Sequence, residues 1–80
     1  MPVVLRIDGF KFLLYGNEGN PREPVHIHVK LGRDEAKFWL SPHVVLAYNR
    51  GLNGPTLNHV QRLVETHRDE LEGAWNDFFS

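Results

Sequence analysis

The sequence predicts an α+β fold: a four-stranded antiparallel sheet, strands about 3–8, 10–16, 25–31 and 35–40, covered on one face by two C-terminal helices, about 42–50 and 55–79. Three observations carry this. Apolar residues recur mainly at every second position up to Leu40, and at every third or fourth position after Pro55. Turn signals, Asp8-Gly9 and Gly32-Arg33-Asp34, separate the first runs. A chain of 80 residues is long enough for two layers around one core, so residues 1–80 are expected to form a single domain.

Each element follows from its residues. Val3 to Ile7 is β-branched and apolar, and Asp8-Gly9 turns it directly into the run Phe10 to Tyr15. Gly16 to Pro24 concentrates Gly, Asn and Pro, which breaks regular structure. Val25-His26-Ile27-His28-Val29-Lys30-Leu31 alternates strictly, and Glu35 to Leu40 follows the next turn. Ser41-Pro42 has the form of a helix N-cap and first position, and Gly51 that of a helix end, so a short helix is expected between them. After Pro55, the stripe Leu57, Val60, Val64, Leu71, Trp75 and Phe78 predicts one longer amphipathic helix.

Composition narrows the chemistry. With 41% hydrophobic and 24% charged residues the chain is that of a soluble globular domain rather than a disordered tail. It has no cysteine, so disulfide frameworks, zinc ribbons and thiol catalysis are excluded. No apolar run approaches the ~20 residues that span a bilayer, and the start Met1-Pro2-Val3-Val4-Leu5-Arg6 lacks the pattern of a signal peptide, so a cytoplasmic protein without membrane contact is expected. The formal charge of −1 favours no polyanion overall, but its distribution is uneven. Residues 1–55 hold seven cations against five acids, and residues 56–80 two against five.

Strand alternation divides the sheet into two faces. Val3, Leu5, Ile7, Phe10, Phe12, Leu14, Val25, Ile27, Val29, Leu31, Ala36, Phe38 and Leu40 belong under the helices. The other face, expected to be solvent-exposed, joins the cations Arg6, Lys11, Lys30 and Lys37 to His26, His28, Tyr15 and Trp39. Two histidines two apart on one strand point the same way, roughly 6–7 Å apart. Such a pair serves as a general acid and base, or as two metal ligands. For a metal, a third ligand would have to come from Glu18, Asp34 or His43, and no three-ligand motif is present, so no cofactor is expected. His67 reads as a hydrogen-bonded histidine of the helix–sheet boundary.

Several segments together resemble one family. Val4-Leu5-Arg6-Ile7-Asp8-Gly9-Phe10, the loop Asn17-Glu18-Gly19, the strand Pro24-Val25-His26-Ile27-His28-Val29, the run Ala36-Lys37-Phe38-Trp39-Leu40, Asn49-Arg50-Gly51 and the closing Trp75-Asn76-Asp77-Phe78 are similar to the small prokaryotic domain of unknown function 4160. The two prolines usual before the first histidine stand here as Pro24-Val25. The resemblance implies a component of a two-gene module of the toxin–antitoxin type, with a cognate partner protein from a neighbouring gene. Carried onto this chain, it points to Arg6, Tyr15, Glu18, His26, His28, Lys37 and Trp39.

Three functions are then open. In the first, a metal-independent RNA-cleaving toxin uses His26 and His28 as acid and base, with Lys37 and Arg6 stabilising the phosphorane. Tyr15, Trp39, Glu18 and Lys30 would hold the single-stranded RNA. The second is a non-catalytic antitoxin or adaptor anchored by Trp39 and Tyr15. In the third, a metal-binding domain uses His26 and His28. An exposed sheet edge and the aromatic C-terminus also suit a homodimer.

Overall fold

The computed structural model describes residues 2–16 and 23–80. Its elements in chain order are β1 (Val3–Ile7), β2 (Phe10–Leu13), β3 (His26–Leu31), β4 (Asp34–Trp39), β5 (Val45–Arg50), α1 (Gly54–Thr66) and α2 (Arg68–Phe79). The five strands form one antiparallel sheet in sequential order. The fold class is therefore the α+β arrangement expected, with one strand more.

The β1–β2 turn has the expected chemistry. Asp8 and Gly9 both have positive φ, 53° and 83°, the signature of a two-residue hairpin whose twist matches its strands. Pairing then runs Ile7 with Phe10, Phe12 with Val29, Val29 with Ala36 and Ile27 with Phe38, which brings the apolar alternates onto one face. Phe12, Leu14, Ile27, Val29, Ala36, Phe38 and Leu40 are fully buried there against Val60 and Val64 of α1 and Leu71 and Trp75 of α2.

Residues 42–50 correct the expectation of a helix. Val45–Arg50 pairs antiparallel with β4, and a register irregularity places Lys37 opposite Tyr48 but Phe38 opposite Leu46, leaving Ala47 as an extra residue. Ser41-Pro42 and Gly51 frame too few residues for a helix to hold on local propensity. The backbone groups along β4 provide a ladder instead. After the strand, the Asn49 side chain clasps Leu52 twice, donating to its carbonyl at 2.9 Å and accepting from its amide at 3.1 Å.

The helices begin where the chain signals it. The Asn53 side chain accepts from the Thr56 amide at 2.9 Å, and Pro55 stands in the first turn. The single long helix expected over 55–79 is two. His67, with φ −104° and ψ 17°, ends α1 and precedes α2, and its Nδ1 donates to the Leu63 carbonyl at 2.9 Å. Asp69 and Glu70 suit the positive end of the α2 dipole, and Arg68 anchors that end by donating from Nε to the Leu40 carbonyl at 2.6 Å. None of the described helices is long and apolar enough to cross a membrane.

Candidate functional site

Register builds the polar face of the sheet in rows. Arg6, Lys11, Lys30, Glu35 and Arg50 stand opposite one another across all five strands. The next row holds Leu13, His28, Lys37 and Tyr48, and a third places His26 beside Trp39. The first row is open to solvent at Arg6, Lys11 and Arg50 and half-buried at Lys30 and Glu35.

Glu35 is the hub. The Tyr15 hydroxyl donates to its Oε1 at 2.8 Å and the Tyr48 hydroxyl to its Oε2 at 2.5 Å, while His28 Nδ1 lies 3.0 Å from Oε2. The Tyr15 ring stacks on the His28 ring with centroids 3.9 Å apart. Burial acts to raise the Glu35 carboxyl, but the hydrogen bonds from Tyr48, Tyr15 and His28, with attraction to His28, outweigh it and hold the group below its ordinary range. The same arrangement, burial first and then the Glu35 bond and charge, pushes the Tyr48 phenol up. Glu35 therefore stays an anion and Tyr48 a donor at neutral pH.

The sequence led us to expect an open face at the histidines, and here the structure differs: His26 is 0% and His28 1% exposed. Strand alternation reports the side a residue points to, and not what covers it. The Trp75 ring of α2 lies 4.6 Å from that of His26, with Trp39 edge-on at 5.4 Å and His28 at 5.2 Å. Since a carbonyl only accepts, His26 Nδ1 donates to the Pro24 carbonyl at 2.8 Å. A carboxylate likewise fixes the proton of His28 on Nδ1. Among the described residues, no fully buried side-chain nitrogen or oxygen is left without a partner.

The other expected site residues divide. Lys37 is buried, donates to Glu23 Oε1 at 2.8 Å and lies 4.5 Å over the Trp39 ring. Half-exposed Trp39 lines a shallow, largely apolar pocket of about 350 Å³ with Pro24, Ser41, Pro42, His43 and Val45. Tyr15 and His28 are brought together, whereas Arg6 and Lys30 stand in the neighbouring row. Glu18 lies outside the described residues. The described residues contain no group of three or more His, Asp or Glu placed to hold a metal ion.

Two members of the site went unrecognised in the sequence. Glu35 was visible on the polar face but carried no signal beyond a surface carboxylate, and Tyr48 fell in the segment expected to be helical. The alternation of Val45, Ala47 and Asn49 with Leu46, Tyr48 and Arg50 gives no period of its own that would have exposed the strand.

No curated protein and no solved structure matches the chain. A family model does, the domain of unknown function DUF4160, over residues 9–76. That span includes His26, His28, Glu35, Trp39, Tyr48 and Trp75, the residues on which the geometry above depends, and the protein accordingly belongs to the DUF4160 family.

Proposed function

We propose that the protein is the non-catalytic binding component, antitoxin or adaptor, of a cytoplasmic two-gene module of the toxin–antitoxin type, and that it docks its cognate partner protein at the Trp39 pocket. One observation carries this reading. The two histidines a metal-independent nuclease would need at its surface are enclosed and committed through Nδ1, whereas Trp39 and Val45 offer an apolar recess to an incoming side chain. Val45 is 53% exposed at its rim. A large aromatic wall of this kind is the usual anchor of a protein interface.

A second reading, an RNA-cleaving toxin, draws support from the tautomer of His28. With its Nδ1 proton directed at Glu35, His28 would act as a base through Nε2. His28 would take the 2′-hydroxyl proton, a protonated His26 would return one to the leaving oxygen, and Lys37 with Arg6 would face the phosphorane charge.

Inducible expression, alone and with the product of the neighbouring gene, separates the two. We expect growth to be unaffected by the protein alone, a complex that co-purifies, and loss of that complex on Trp39→Ala or Val45→Glu. RNA cleavage that survives EDTA and disappears in His28→Ala would overturn this proposal in favour of the toxin.

A further inference from the structure

The sheet face holds a charged feature that the apolar pocket does not use. Arg6, Lys11 and Lys30 are consecutive across β1, β2 and β3, and the row resumes at Arg50 on β5. None of the ion pairs among the described residues includes Arg6, Lys11 or Lys30. Like charges directly opposite on neighbouring strands repel, so this row lowers the stability of the isolated protein unless an anion lies over it. Glu35, the one acid in the row, has its oxygens engaged by Tyr15, Tyr48 and His28. Arg50 stacks over the Tyr48 ring at 4.7 Å, which fixes its guanidinium on the same face.

We propose that this row binds the phosphate backbone of a single-stranded nucleic acid laid across the sheet. Five strands at ~4.8 Å spacing give a row roughly 19 Å long. That is wider than the ~12 Å major groove, so the face cannot enter a duplex, whereas a flexible single strand can follow it. The proposal goes beyond partner docking and uses different residues, so either can fail without the other. The overall charge of −1 does not oppose it, because seven of the nine cations lie in residues 1–55, which carry the sheet, against five of the ten acids.

The experiment is fluorescence anisotropy of the full chain with labelled RNA and DNA oligonucleotides of ~12 nucleotides, single-stranded and duplex, between roughly 25 and 200 mM salt. Three to four cations predict a slope of log K against log salt of about −2 to −3, from ~−0.7 per contact. Lys11→Gln and Lys30→Gln should each flatten that slope by about 0.7. Arg6→Glu together with Lys11→Glu should abolish binding, and Arg62→Glu on α1 should change nothing. Circular dichroism confirms folding, and the two glutamine variants carry the test if the charge reversals unfold.

Absence of oligonucleotide binding at the lowest salt, binding indifferent to Arg6, Lys11 and Lys30, or a preference for duplex would overturn the proposal. So would binding of polyglutamate with no binding of oligonucleotide, which would assign the row to an acidic protein. The docking reading is checked separately: Trp39→Ala should release the partner protein and leave oligonucleotide affinity in place.

Discussion

Tyr48 reaches diagonally across the β4–β5 ladder to donate to Glu35, whose register partner is Arg50. Long side chains span such diagonals, so the bond pins the edge strand to the sheet from its polar face, in addition to the backbone ladder. The same carboxylate receives Tyr15, just after β2, and His28 of β3. One side chain thereby ties together four consecutive segments of the sheet.

Removing a donor from that carboxylate should therefore cost stability beyond the loss of a surface contact. Tyr48→Phe keeps the ring and deletes the hydroxyl, leaving Glu35 partly buried with two donors. We expect a loss of about 1–2 kcal/mol in urea unfolding. Glu35→Ala strands three donors and should lose about 3 kcal/mol. A Tyr48→Phe protein indistinguishable from wild type would show that the hub contributes no stability through this bond.

Acid should reveal the same hub. Glu35 is held below its ordinary range in the folded protein, despite burial, by Tyr48, Tyr15 and His28. A group depressed on folding stabilises the native state above its unfolded pKa, and that contribution is lost as pH falls through the folded value. Thermal midpoints of wild type should thus drop relative to Glu35→Gln below about pH 4.5, with the difference constant from about pH 5 to 6. Parallel curves through the acid range would contradict the depressed carboxyl.

The sheet was legible where local chemistry determined it. Asp8-Gly9 specified a turn that adopts two positive φ values, the alternation of His26 to Leu31 gave the core face, and Asn53 with Pro55 opened α1. What escaped depends on pairing rather than on the propensity of the segment itself. Ser41-Pro42 and Gly51 imitate helix ends, and it is the edge of the preceding strand β4, with Trp39 opposite Val45, that makes Val45–Arg50 a strand. The site followed the same division. His26, His28, Tyr15 and Trp39 were readable as one face, but the packing of Trp75 of α2 on the buried His26 was not, and the break at His67 that precedes α2 has no glycine or proline to mark it.

Because His26 is enclosed by Trp75 and Trp39, its replacement tests packing before it tests chemistry. His26→Ala removes a fully buried ring and leaves the Pro24 carbonyl without its donor, for an expected loss of about 2–4 kcal/mol. Near-ultraviolet circular dichroism should change as well, since two indoles border the site. An alanine variant as stable as wild type would mean that the ring is not a packing element, and would return it to consideration as an acid.

The link from β5 to α1 turns on Gly51, where two independent constraints meet. Its φ of +100° is one that L side chains adopt only with strain, and a Cβ there would collide with the Asp34 carboxylate. Gly51→Ala should cost about 1–3 kcal/mol, part from the backbone and part from displacing Asp34. The two parts separate in a double-mutant cycle. With Asp34→Gly in place the collision is gone and only the backbone strain, about 1–2 kcal/mol, should remain. A penalty unchanged by Asp34→Gly would assign the whole requirement to φ. One that vanishes would show that the backbone relaxes and that close packing on Asp34 alone demands glycine.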